Sequence, residues 1–227
     1  MKNFVIAIDG PAASGKSTTA RRVALHFGWI YVDTGAMYRA VTLAVLKGNI
    51  AIDDEQSVVR VAGSCDVSFS VNGRAQRVLL NGEDVTEDIR TGMVNAAVSR
   101  ISSYAGVRKQ MVALQRAFAL HGSLVMDGRD IGTVVFPNAD VKVFLIASLD
   151  ERARRRKSEL DHAGRSESLE AVRQQIEERD RFDAGREHSP LVKANDALEL
   201  DTTRLTIDDQ VANIVSRVEA IINSATQ

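Results

Sequence analysis

Short apolar runs alternate with stretches of helical spacing from the first residues onward. Phe4-Val-Ile-Ala-Ile8 is apolar, partly β-branched, and stops at Asp9-Gly10, the pattern of a strand buried on both faces of a parallel sheet. From Ser17, Ala20, Val23, Ala24 and Phe27 recur at helical spacing and Gly28 supplies a C-terminal stop. Trp29–Val32 predicts a second strand. Asp33-Thr34-Gly35 then turns into a helix with Met37, Val41, Ala44 and Val45 on one face. Strand, helix, strand, helix is the signature of an α/β fold.

Residues 66–82 break that rhythm. Val67, Phe69 and Val71 alternate with Asp66, Ser68 and Ser70, the period of a half-buried strand. Asn72-Gly73, a strand around Gln76–Leu80 and Asn81-Gly82 follow, which predicts a small antiparallel hairpin. Helical spacing resumes over 104–119 through Val107, Met111, Leu114 and Phe118, and two buried strands follow at Ser123–Met126 and Val141–Ala147. A last strand near Ala197–Leu200 precedes a closing helix capped by Thr206, with Val211, Ile214, Val215, Val218 and Ile222 on its buried face.

Residues 151–190 differ in kind: ten Arg or Lys and ten Asp or Glu fill half of the 40 positions. Such a stretch is expected to be helical, solvent-facing and weakly packed. The division expected is one α/β core, 1–62, 102–150 and 188–227, with an insert at 63–101 and a charged flap at 151–187.

Composition narrows the class. The 227 residues carry 29 Lys plus Arg against 30 Asp plus Glu, a net of −1, which argues against a general nucleic-acid binder. The longest apolar runs are five residues, whereas a membrane-spanning helix needs roughly 20. No export signal follows Lys2, and the lone Cys65 suits a reducing cytoplasm. No membrane partner is expected, and the closing helix reads as core cover, hence a monomer.

The chemistry begins at Gly10-Pro11-Ala12-Ala13-Ser14-Gly15-Lys16-Ser17, with Thr18 next to it on the first helical turn. The spacing G-x-x-x-x-G-K-[ST] lets backbone N–H groups curl around a phosphate at a helix N-terminus. Lys16 would neutralise phosphate oxygens and Ser17 would hold Mg²⁺, so ATP and Mg²⁺ are expected. Leu124-Val125-Met126 delivers Asp127 to a strand's C-terminal edge, where a carboxylate holds water on Mg²⁺.

A phosphate loop leaves the reaction open. No Asn-Lys-x-Asp guanine reader and no Leu-Ser-Gly-Gly transporter signature occurs. Arginines instead stand near strand ends: Arg39 after the second strand, Arg129 in Asp127-Gly-Arg-Asp130, and Arg108 at a helix start. In a parallel sheet they would converge on the loop's side, and guanidinium groups grip phosphate in bidentate fashion. Arg152, Arg154, Arg155, Arg156 and Lys157 put five cations in six positions. They fit a flap that brings charge over the transferring phosphoryl group and excludes water. A solvated helix face balanced by Glu151, Glu159 and Asp161 accounts for the same charges.

With these residues in view, the chain resembles the bacterial cytidylate kinases, of the nucleoside monophosphate kinase group. Ile8-Asp-Gly-Pro-Ala-Ala-Ser-Gly-Lys-Ser17, Asp33-Thr-Gly-Ala-Met-Tyr-Arg39, Asp127-Gly-Arg-Asp-Ile-Gly-Thr-Val-Val-Phe-Pro137 and Arg179-Asp-Arg-Phe-Asp-Ala-Gly-Arg186 carry the resemblance over nearly the whole chain. It implies an α/β P-loop kinase core with an acceptor-binding insert and a helical lid, transferring the γ-phosphoryl group of ATP to CMP or dCMP. It implies that Arg39, Arg108 and Arg129 hold the acceptor phosphate, and that Thr34, Ser99 and Asp130 contact the pyrimidine. Asp183 and Arg186 would bind the sugar and close the lid, with Tyr38 and Arg179 among the acceptor contacts. Lys16, Asp127, Arg129 and Arg186 form the implied catalytic set. Thr34 stands where many relatives have Ser, keeping the hydroxyl. A P-loop kinase for another small acceptor such as UMP, and a nucleotide-dependent regulatory or RNA-binding module, are the alternatives.

Overall fold

The computed structural model describes residues 3–72 and 75–225. The chain divides into two compact units, Met1–Tyr31 with Ala119–Gln227, and Val32–Phe118.

The first unit is built on a parallel sheet. Its strands are β1 (Val5–Asp9), β6 (Leu124–Gly128), β7 (Val141–Ile146), β8 (Leu198–Asp201) and the start of β2 (Ile30–Asp33), in which the chain passes into the second unit after Tyr31; the sheet order is β2-β6-β1-β7-β8. β1 lies at the centre, with Val5 opposite Leu124 and Ile6 opposite Val141. Every residue of β1 and β6 is buried, which is why both read as unbroken apolar runs rather than alternating ones. Helices α1 (Lys16–Phe27) and α8 (Ile207–Ala225) bring Ala20, Val23, Ala24, Ile214 and Val218 into one core with Ile6, Ile8, Val125, Val143 and Leu145. α8 opens on a reciprocal cap: Asp209 N donates to Thr206 Oγ1 (3.2 Å) and Thr206 N donates to Asp209 Oδ2 (3.0 Å), satisfying a first-turn donor.

The charged segment forms α6 (Leu149–His162) and α7 (Leu169–Ala184). It packs more firmly than its composition implies. Ala153, Leu160, Val172 and Ile176 make a small core of their own, against which Ala13 and Leu149 pack. Spacings of seven residues in one helix and four in the other put these few apolar side chains on one face each; the charge count over 151–190 conceals that stripe.

The second unit holds α2 (Thr34–Lys47), α3 (Glu55–Ser64), α4 (Gly92–Ile101), α5 (Ala105–Phe118) and the antiparallel strands β3 (Val67–Asn72), β4 (Ala75–Leu80) and β5 (Glu83–Asp84). β3 and β4 pair from Val67 opposite Leu80 to Asn72 opposite Ala75. The expected turn at Asn72-Gly73 reaches Gly73, which lies outside the described residues. Asn81-Gly82 joins β4 to β5, as the hairpin signal predicts. α3 and α4 were not foreseen as helices. α3 is short and rich in β-branched valine, but Asp54 caps it by accepting from Ser57 N at 3.1 Å. α4 starts on a glycine, yet Val94, Ala97, Val98 and Ile101 repeat at helical spacing and are all buried.

Candidate functional site

The phosphate loop leaves β1 through backbone that only certain residues allow. Gly10 has φ 147°, and a Cβ there would lie 2.1 Å from the Leu145 carbonyl oxygen. Gly15 caps α1 at φ 93°, left-handed backbone open to glycine at little cost. The loop is braced from outside itself. Thr202 Oγ1 donates to Ser14 O (3.0 Å), and Arg152 donates to Ala12 O (3.3 Å). Thr19, in the first turns of α1, donates to Gln210 Oε1 on α8 (2.7 Å). Thr18 is exposed on α1.

Lys16 is 5% exposed, and its Nζ donates to Pro11 O at 2.6 Å and to Ser14 Oγ at 3.4 Å. Burial, then the positive charge of Arg129, push its ammonium down to about 7, against the pull of Asp127 and Asp9. An anion arriving in the loop favours the charged form and reverses that shift.

Ser17 and Asp127 meet as the spacing requires: Ser17 Oγ donates to Asp127 Oδ2 at 2.8 Å. The other carboxylate oxygen accepts from Tyr31 Oη at 2.9 Å. Tyr31 is a functional neighbour that the strand pattern hid, since a tyrosine in an apolar run reads as core. Ser17 and Asp127 present hard oxygen donors, which fit Mg²⁺. Among the described residues no group of three or more His, Cys, Asp or Glu could hold a metal alone.

Beyond β6, Arg129 Nε donates to Asp183 Oδ2 at 2.9 Å. Arg186 donates to Asp183 Oδ1, and Arg179 lies 4.0 Å from the same carboxylate. Three arginines named from the sequence are thus gathered on the side chain of a fourth such residue, Asp183, itself 1% exposed. Burial pushes the Asp183 carboxyl up, but Arg129, Arg186 and Arg179 together outweigh it and hold it below its ordinary value. Asp130, beside Arg129, is buried at the start of a π-helical turn, Ile131–Val135.

The cations of α6 divide. Arg152 pairs with Asp180 and reaches Ala12, while Arg155 donates to Thr202 Oγ1 (3.1 Å) and to the Thr202 carbonyl (2.6 Å). Arg155 also pairs with Glu151 of its own helix (3.0 Å), where Arg154, Arg156 and Lys157 pair with Glu151, Glu159 and Asp161. Of the five cations, Arg152 and Arg155 reach the phosphate loop and its brace.

In the second unit, Arg108 is buried in the first turn of α5, donates to Ser102 O at 3.1 Å, and lies 5.3 Å from the centre of the Tyr38 ring. Arg39 Nε donates to Asn95 Oδ1 at 3.4 Å. Asn95 was not foreseen; it stands one helical turn before Ser99 on α4, which is half-buried. Thr34 is buried in the first turn of α2.

Fold and loop together define a P-loop nucleotide-binding protein of the parallel α/β class. The family model described as cytidylate kinase matches residues 6–220, and the chain belongs to that family. It is 49% identical over 226 residues to a cytidylate kinase of Bacillus cytotoxicus, covering 100% of this chain and 99% of that one. Identity to a cytidylate kinase of Leuconostoc mesenteroides subsp. mesenteroides is 48% over 219 residues, 96% of this chain and 98% of the other. An uncharacterized protein from Eubacterium ventriosum ATCC 27560 shares the fold, with a TM-score of 0.51 at 11% identity, covering 95% of this chain and 98% of that one.

Proposed function

We propose that the chain transfers the γ-phosphoryl group of ATP to CMP or dCMP, giving ADP and CDP or dCDP. The observation that carries this reading is the family match over residues 6–220, which spans the phosphate loop, the Asp127–Asp130 turn and the Arg179–Arg186 segment.

Phosphoryl transfer proceeds with charge spread over the transferred group's oxygens, so catalysis is mostly positioning and neutralisation. Gly10–Ser17, continued by Thr18, cradle the phosphates of ATP and Lys16 neutralises them. Ser17, with Asp127 acting through water, holds Mg²⁺, which when bound neutralises phosphate charge. Arg39, Arg108 and Arg129 take the acceptor phosphate. Thr34, Ser99 and Asp130 meet the base, with Tyr38 packed under Arg108. Cytosine presents an N4 amino donor where uracil presents an acceptor, so a carboxylate discriminates between them. Asp183 and Arg186 serve the sugar and the closing of the lid over 151–187, Arg179 is a further acceptor contact, and residues 63–101 enlarge the acceptor side. The protein works on small molecules as a monomer, in the cytoplasm.

A panel of nucleoside monophosphates scored by ADP production tests the reading. CMP and dCMP are expected to exceed UMP and AMP in kcat/KM. Parity with UMP or AMP would overturn the specificity, and ATP hydrolysis indifferent to acceptor would overturn the transfer.

A further inference from the structure

Asp9 ends the central strand, one residue before the phosphate loop, opposite Gly128 in the parallel register. Its carboxylate is 5% exposed. Oδ1 accepts from the Ile131 N–H at 2.8 Å and Oδ2 from the Gly132 N–H at 2.7 Å. These are the first two residues of the π-helical turn that follows Asp130. Two consecutive backbone donors at a helical start form a small anion-binding concavity, here filled from within the chain.

The arrangement costs stability. Burial pushes the Asp9 carboxyl up to about 6, and the two N–H bonds and Lys16 offset burial and the charge of Asp130 only in part. A carboxylate kept ionised in such a place needs both of its bonds. An asparagine could offer a single oxygen and would turn its NH₂ toward a second N–H, donor against donor. The surroundings leave little slack: a Cβ at Gly132 would sit 3.4 Å from Asp9 Oδ2 and 3.2 Å from the Lys142 side chain. The same turn is held at its other end, where Arg129 is bound to Asp183.

We propose that Asp9 is a positioning residue for the acceptor: it pins the Arg129–Asp130 turn to the strand that launches the phosphate loop, so the two are held in one register. The inference rests on the acceptor roles proposed above for Arg129 and Asp130. Asp9 touches neither substrate; it acts through the turn.

The test is steady-state kinetics of Asp9→Asn, Asp130→Asn and the double variant with CMP, UMP and ATP. In Asp9→Asn the KM for CMP should rise about tenfold, since a shift on the order of 1 Å in a positioning element costs that much or more. The KM for ATP should move less than twofold, and the preference for CMP over UMP should fall. The double variant should discriminate no worse than Asp130→Asn alone, because Asp9 acts through that residue. If Asp9→Asn leaves the KM for CMP and the preference unchanged, or raises both KM values alike, the inference is overturned. If Asp130→Asn itself leaves the CMP/UMP preference intact, the base-reading role fails instead. Should Asp9→Asn not fold, amide exchange in the unmodified protein decides. Ile131 and Gly132 N–H groups are expected among the slowly exchanging amides, and fast exchange at both would overturn the pin.

Discussion

Two regions of the first unit are rich in charge and use it in opposite ways. At the ends of β1 and β6, Asp9, Lys16, Asp127 and Asp130 are each at or below 5% exposed. Three of them are bound at 2.6–2.9 Å to backbone groups or hydroxyls: Lys16 to Pro11, Asp127 to Ser17 and Tyr31, and Asp9 to Ile131 and Gly132. Along α6, Arg154, Arg156 and Lys157 pair with acids three or four residues away on the same helix. Exposed pairs of that kind contribute only ~0.3–0.5 kcal/mol. A charge count treats the two regions alike; burial separates a site from a solvated surface.

The largest expected effect falls in the buried region. Lys16→Ala should lower kcat/KM by about 10³-fold or more, the scale of removing a charge-stabilising group. It should leave the melting temperature unchanged or slightly higher, because a desolvated ammonium is lost with it. A marked drop in melting temperature would instead make Lys16 structural. Asp183→Asn comes next: three arginines lose their shared counter-charge, which should cost about 3 kcal/mol in chemical denaturation.

The two buried carboxylates respond to pH with opposite signs. Asp183 is held below its ordinary value, so its stabilisation is present above about pH 4 and is lost as pH falls through its folded value. The deficit of Asp183→Asn should therefore be equal at pH 5 and pH 8. Asp9 is raised from 3.8 to about 6, so protonation favours the folded chain, and that contribution is lost as pH rises through about 6. Relative to the unmodified protein, Asp9→Asn should gain about 1 kcal/mol between pH 5 and pH 8. Denaturation midpoints at both pH values check this, and parallel curves for the two variants would break the contrast.

The smallest effects sharpen the division within α6. Arg152→Ala removes the contacts to Ala12 and Asp180 and should raise the KM for ATP about tenfold. Arg156→Ala should change it less than twofold, its pair with Glu159 being a surface one. Equal losses from both would return the helix to a single cationic face.

Local pattern made much of this legible. β1, the loop and α1 carry their signals within a few residues, as do the Asn81-Gly82 turn and the Thr206 cap. α3 and α4 escaped because β-branched residues and a starting glycine mask helical spacing, and tertiary packing decides there. The site was legible as residue types but not as partners. Asp9 meets Ile131 and Gly132 across more than 120 positions, and Tyr31 meets Asp127 across 96. Such pairs are made by strand order, which no local spacing encodes. The apolar stripe joining α6 to α7 was hidden for a different reason: four small or aliphatic side chains are few among 20 charged ones.

Phosphorus NMR of the protein with ATP, Mg²⁺ and CMP asks most directly whether these groups transfer phosphate. The ATP γ resonance should decay while the paired resonances of ADP and CDP grow together, with little inorganic phosphate formed. Inorganic phosphate rising in step with ADP while CMP stays unchanged would contradict a kinase and leave a hydrolase.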